Sequence, residues 1–274
     1  MDLESDSFFF NNFLFKGGTC LTKCYLGYYR FSEDLDFTYK KQELFKNKSE
    51  KQIRKEISII LKQIIDLIEI ISKKNNLIFK NNNDTKYIEY GGGNKFITIK
   101  LWYLSVIENR TQFIKIQFNF VDKLIYPPTL REVNNIFSQD NKNIQFLFPS
   151  SKYLFTKQQI YCYDIKEIYL EKNRAILTRK GVKARDFIDV YLILKKLKKL
   201  NNYSSFNNSI IEKTKFMLKF EKYNANLQEH KEKGIEYSLG QEKNLLLLNF
   251  GNEYDLFLEK YRTYLKEIIE KCLI

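Results

Sequence analysis

Apolar positions along this chain fall into two periods. Within residues 48–73, Ile53, Ile57, Ile60, Ile64, Leu67, Ile68 and Ile71 recur every three or four places. That is the spacing of one buried helix face, and it predicts a long amphipathic helix. Shorter β-branched and aromatic runs predict strands at 13–16, 31–39, 86–90, 95–104 and 113–121, with Gly91-Gly92-Gly93 turning the third into the fourth. Residues 19–28 read as a helix between the first two strands. Pro127-Pro128 ends this sheet region and marks the expected domain boundary. Beyond it the pattern predicts a short helix at 130–137, a strand at 160–163, and then helices. Asp164-Ile165-Lys166-Glu167 has the form of a capping box opening a helix to about Arg179. Further helices are expected at 183–197, 209–223 and 254–272, the last with Phe257, Leu258, Tyr261, Leu265, Ile268 and Ile269 on one stripe. The expected class is α+β: a mixed sheet flanked by helices over residues 1–127, then a mostly helical domain over 128–274. No internal repeat or low-complexity linker interrupts it.

Composition narrows the classes. The 274 residues are 44% hydrophobic, enough for one large core or two ordinary ones. The most apolar stretch, 57–71, is broken by Lys62, Gln63, Asp66 and Glu69, so no membrane helix is expected. The chain opens Met1-Asp2-Leu3-Glu4, acidic where a secretory signal is basic. Cys20, Cys24, Cys162 and Cys272 show no paired CxxC spacing, and His230 is the single histidine. Neither a zinc site nor a disulfide framework is expected, and a reduced cytoplasmic protein fits. The net charge of +13 favours polyanionic partners, nucleic acid first. Against that stands a richness in Asn, Lys, Ile and Tyr of the kind an AT-rich genome imposes.

The chemistry concentrates in the first forty residues. Gly17 and Gly18 close a strand, where the backbone can approach an anion without Cβ interference, and the following helix offers unpaired N–H groups. Thr19 stands at the helix start, to cap it or touch a phosphate, and Lys23 shares its face four residues on. Ser32 and Glu33 then precede Asp34 and Asp36, which the alternation of a strand points to one side. Two carboxylates on one rigid face make a hard oxygen site suited to Mg²⁺ or Mn²⁺ with phosphate oxygens and water. Taken singly, Gly-Gly-Thr is a turn and Asp-x-Asp a solvated strand face. In this order across one helix, they point to a metal-bound nucleoside triphosphate.

Lys16-Gly17-Gly18-Thr19, Leu21-Thr22-Lys23 and Arg30-Phe31-Ser32-Glu33-Asp34-Leu35-Asp36 resemble the nucleotidyltransferase motif of the AbiEii/AbiGii toxin family, within the polymerase-β-like superfamily. A second block, Glu167, Glu171-Lys172, Arg179 and Arg185-Asp186-Phe187-Ile188-Asp189-Val190-Tyr191, resembles the family's later acidic-Lys…Arg…Arg-Asp-x-x-Asp-x-Tyr pattern. The resemblance spans about residues 13–194. It implies a nucleotidyltransferase-like first domain, with a helical second domain completing the active-site cleft. It further implies a toxin that moves a nucleotide from an NTP to RNA, the tRNA 3′ end favoured, releasing pyrophosphate. An antitoxin partner is implied by the family alone.

In that scheme Asp34 and Asp36 bind the metal, and Lys16, Gly17, Gly18, Thr19, Lys23, Ser32 and Arg185 hold the triphosphate. Lys115, Lys172, Arg179 and Asp186 join the catalytic set. Read from the residues alone, the second block is either a phosphate clamp or a helix–helix salt-bridge network, with Arg185 and Asp189 spaced as an i, i+4 pair. Two departures from the family stand out. Only a dozen residues precede the glycine strand, so either a preceding helix is lacking or the start has been assigned downstream. The superfamily's third carboxylate falls at Gln117, with Lys115 on the same strand face, and an amide cannot take a proton. The alternatives are transfer to a protein or small-molecule hydroxyl, or a non-catalytic nucleotide-binding regulator. Among the remaining residues, Cys20 and Cys24 read as buried structural thiols, and His230 and the lysines of 195–199 as solvated.

Overall fold

The computed structural model describes residues 2–82, 84–134, 146–147, 158–237, 244 and 246–274. The chain forms two compact units, each drawing on separate stretches of sequence. The first comprises Met1–Cys24, Ser32–Asp122 and Pro128–Cys162; the second comprises Tyr25–Phe31, Lys123–Pro127 and Tyr163–Ile274. Together they make an α+β fold, as the alternating and helical patterns predict.

The first unit is built on a mixed sheet. Its strands are β1 (Phe13–Lys16), β2 (Leu35–Tyr39), β3 (Ile88–Gly91), β4 (Phe96–Leu104), β5 (Thr111–Asn119), β6 (Thr129–Val133) and β7 (Gln158–Cys162), in the order β3-β4-β5-β2-β1-β7-β6. β1 runs antiparallel to β2, and β2 runs parallel to β5, so the carboxylate strand lies between the glycine strand and the strand of Lys115 and Gln117. Helices α1 (Ser7–Asn12), α2 (Gly17–Leu21) and α3 (Glu50–Lys74) complete it. Ser49 and Gln52 form a reciprocal capping box that starts α3, whose isoleucines at 53, 57, 60, 64, 68 and 71 are buried as their spacing requires. The core is aromatic: Phe9 stacks on Phe13 at 5.0 Å and meets Phe37 edge-on at 4.9 Å, while Phe37 stacks on Phe118 at 5.9 Å. α1 precedes the glycine strand, and Asp6 caps it by accepting from the Phe9 N–H.

The second unit is helical: α4 (Ile165–Thr178), α5 (Ala184–Lys196), α6 (Asn207–Leu218), α7 (Glu221–Lys233) and α8 (Asn252–Leu273). Asp164 caps α4 through the Lys166 N–H. Inside the unit the Tyr169 and Tyr261 hydroxyls meet at 2.7 Å, and Tyr261 donates to Asn173 Oδ1, so these buried polar tips are satisfied. No helix among the described residues is long and apolar enough to cross a membrane.

Several expectations need correction. The sheet does not end at Pro127-Pro128, because β6 and β7 extend it. The short helix expected at 130–137 is strand β6 over Thr129–Val133, and most of the remainder lies outside the described residues. Its mostly exposed Thr-Leu-Arg-Glu-Val edge carries too little apolar pattern to reveal its period. The helix expected at 19–28 is α2 followed by a π-helical turn, Thr22–Leu26, and the strand expected from Phe31 begins at Leu35. The helix expected at 209–223 breaks at Phe220, whose extended backbone separates α6 from α7.

Candidate active site

Strand registry brings the predicted carboxylate face together within the sheet unit. Asp36 pairs with Lys16 on one side and Gln117 on the other. Lys115 Nζ lies 3.5 Å from Asp34 Oδ2, each side chain about one third exposed. Gln117, at the position of the superfamily's third carboxylate, points its amide Nε2 at Thr98 Oγ1 from 3.4 Å. The face therefore carries two carboxylates, one lysine and one amide.

Gly17 explains why a glycine opens α2. Its backbone is left-handed (φ +75°), and a Cβ there would stand 2.1 Å from Asp36 Oδ2 and 3.0 Å from Asp36 Cβ. Only a residue with no side chain leaves Asp36 its place. Thr19 is buried, and its hydroxyl donates to the Asp34 carbonyl at 2.5 Å while lying 2.9 Å from Ser32 Oγ. Its role is thus to tie α2 to the carboxylate segment. Lys16 Nζ is 3.7 Å from Asp122 Oδ2, and the Lys23 carbonyl accepts from Asn134 N–H. Gly18 lies beside Gly17 at the start of α2. The donor set, two half-buried carboxylates on one face with room kept by Gly17, fits Mg²⁺, which takes one or two carboxylates plus phosphate oxygens and water.

In the helical unit, Lys172, Arg179, Asp186 and Asp189 of the second block form one ion network, buried except at Arg179. Lys172 Nζ is 2.7 Å from Asp186 Oδ1 and 2.6 Å from Asp189 Oδ2, and Arg179 reaches Asp186 Oδ2 at 2.5 Å. Arg30, 2% exposed, grips Asp189 with two nitrogens at 2.8 Å, and the Tyr29 hydroxyl donates to the same carboxylate. Burial opposes ionisation of both aspartates, but Lys172 with Arg179 at Asp186, and Lys172 with Arg30 at Asp189, outweigh it and hold both below the ordinary range. Burial likewise opposes the charge on Lys172, and the two aspartates overcome it, raising its value. Arg185 sits on the first turn of α5 and adds to the positive charge around Asp186.

Helical spacing offered Arg185 as a mate for Asp189 and gave no sign of Arg30, which a chain separation of 159 residues conceals. A second buried pair was also hidden. Lys213 and Glu167 meet at 2.5 Å, with Glu167 also accepting from the Ile125 and Tyr126 N–H groups and Lys213 donating to the Lys123 carbonyl. A lysine in an amphipathic helix gives no sequence signal of such burial.

The family model for the nucleotidyl transferase AbiEii toxin of type IV toxin–antitoxin systems matches residues 2–268. Among solved structures, the chain is similar to the JHP933 protein of Helicobacter pylori, at 16% identity and a TM-score of 0.46, covering 98% of this chain and 88% of that one. It is also similar to an H. pylori protein provisionally assigned as a nucleotidyltransferase, at 18% identity and a TM-score of 0.41, covering 98% and 91% of the two chains. No curated protein matches the sequence.

Proposed function

The chain belongs to the nucleotidyl transferase AbiEii toxin family of type IV toxin–antitoxin systems, and on that premise we propose that it transfers a nucleotidyl group from an NTP to RNA, at a tRNA 3′ end. The observation that carries the proposal is the pairing of Asp34 and Asp36 on one strand face, with Gly17 kept bare beside Asp36. Asp34 and Asp36 would hold Mg²⁺ or Mn²⁺, which when bound supplies positive charge to the triphosphate. Gly17, Gly18, Ser32, Lys16 and Lys23 border the phosphates, and Thr19 fixes the segment on which Asp34 stands. The acceptor oxygen bonds to the α-phosphorus, the α–β anhydride bond breaks, and pyrophosphate leaves with its electron pair. Lys115, 3.5 Å from Asp34, neutralises this face and stabilises charge developing on the phosphate. Gln117, whose amide points at Thr98, takes no proton, and the hydroxyl proton passes to solvent.

In the helical unit, Arg179 and Arg185 offer guanidinium charge to a polyanionic substrate, while Lys172 fixes Asp186, which in turn holds Arg179. The net charge of +13 supports an RNA acceptor. The family implies a partner antitoxin. The test incubates the protein with each labelled NTP, Mg²⁺ and total tRNA, then follows label in RNA, protein and pyrophosphate. Labelled tRNA with matching pyrophosphate is expected, and Asp34→Ala or Asp36→Ala removes both transfer and growth inhibition. Label in protein or a small molecule would replace RNA as the acceptor, and full activity of either alanine variant would sink the metal assignment.

A further inference from the structure

Three of the four cysteines converge inside the sheet unit. The sulfur atoms of Cys20, Cys24 and Cys162 all lie within 4.8 Å of one another, and all three residues are buried. Cys20 lies on α2 and Cys24 one turn later in the π-helical turn, while Cys162 ends β7 and pairs with Phe15 on β1. Thr129 Oγ1 lies 3.7 Å from the Cys162 sulfur. Chain spacing does not reveal this convergence, because the third thiol arrives through the sheet.

Sulfur atoms within 4.8 Å of one another are close enough to converge on a single cation. Metal–sulfur bonds of about 2.3 Å in a tetrahedral arrangement put the sulfurs roughly 3.8 Å apart. A disulfide would join two of the three and leave the third beside it. A coordinated thiol is deprotonated by the cation itself.

We propose that Cys20, Cys24 and Cys162 form a site for one thiophilic d¹⁰ cation of the Zn²⁺ or Cu⁺ type, which clips α2 and the turn after it to the end of β7. On binding, each ligating thiol gives its proton to solvent and its sulfur donates an electron pair to the metal. The segment so clipped is the one that carries Gly17, Gly18 and Thr19. The site goes beyond nucleotidyl transfer, and its detection needs no turnover.

The experiment titrates the reduced full-length chain, without oxygen, with Cd²⁺ as the optical probe and with Zn²⁺ under native mass spectrometry. A sulfur-to-cadmium charge-transfer band saturating at one ion per chain, and a single zinc adduct, are expected. Cys24→Ser should weaken binding by more than about tenfold, a loss that even outer-shell partners produce; Cys272→Ser should leave it unchanged, with circular dichroism reporting the fold of each. Thiol labelling of the unaltered chain in mild urea gives a second reading that needs no variant. Zn²⁺ should slow modification of Cys20, Cys24 and Cys162 by more than about tenfold relative to Cys272. Absence of the band, retention of binding in Cys24→Ser, loss of it in Cys272→Ser, or equal labelling of all four thiols would overturn the site. So would an oxidant-induced disulfide in a chain whose reduced form takes up no metal.

Discussion

Replacing Gly17 with alanine tests whether the glycine serves Asp36 or merely a turn. Two costs add at this position. Alanine in a left-handed conformation costs about 1–2 kcal/mol. Gly181 has nearly the same φ, +74°, with nothing within 4 Å of the place an alanine Cβ would take, so Gly181→Ala measures that backbone cost alone. At Gly17 the new methyl also meets Asp36 Oδ2 at 2.1 Å, and ordinary contact begins at 3.4 Å, so the oxygen must retreat by 3.4 − 2.1 = 1.3 Å. Rotating the carboxylate relieves Oδ2 but not Asp36 Cβ, which is anchored to β2 and stands 3.0 Å away. Overpacking of this kind adds about 1–3 kcal/mol. Urea unfolding should therefore show Gly17→Ala destabilised by roughly 2–5 kcal/mol against 1–2 kcal/mol for Gly181→Ala. Displacing a reacting group by about 1 Å costs on the order of 100-fold in rate. Nucleotide transfer should fall at least that far in Gly17→Ala while Gly181→Ala stays near the unaltered chain. Equal stability losses together with intact transfer would refute the close approach to Asp36.

Gln117→Glu sets a third carboxylate beside Asp36, so without Mg²⁺ its Tm should drop, and Mg²⁺ should raise it by more than in the unaltered chain; a magnesium response no larger than the original speaks against a cation on this face. Asp189→Ala strands Arg30 and Lys172 in the interior and should cost about 3–5 kcal/mol by urea unfolding, with Arg30→Met/Asp189→Leu recovering part of it; a loss under about 1 kcal/mol would mean the network contributes little. Stability should also depend on acid. Asp186 and Asp189 are depressed in the fold, so their contribution is complete above the ordinary carboxyl value of 3.8 and fades as pH falls through their folded values. Asp186→Asn should therefore flatten the acid side of the stability–pH curve, and an unchanged slope would count against that assignment.

Legibility followed the range of each signal. The isoleucine stripe of α3 and the strand at 13–16 were plain because their periods are local and their faces bury apolar side chains. Asp34, Asp36, Lys115 and Gln117 could be placed on one face by alternation, but only strand order reveals that β2 lies between β1 and β5. β6 is not legible as a strand because an exposed edge strand has no buried face to impose a period. Arg30, Lys213 and the convergence of Cys162 on Cys20 and Cys24 were illegible for a different reason. Their partners are distant in sequence, and a charged or sulfur-bearing side chain carries no mark of the element that will cover it.

The grip of Arg30 on Asp189 also imposes an order in time. A ribosome adding about 5–20 residues per second needs roughly 8–30 s to travel the 159 positions between them. Throughout that interval Arg30 lacks Asp189, the carboxylate that neutralises it in the interior, and must stay in water, because a lone guanidinium is too costly to bury. The stretch Tyr25–Phe31, emerging early, thus waits for α5 before it can take its place in the helical unit. Nascent chains halted before Asp189 should expose this stretch to protease, and those released after α5 should protect it.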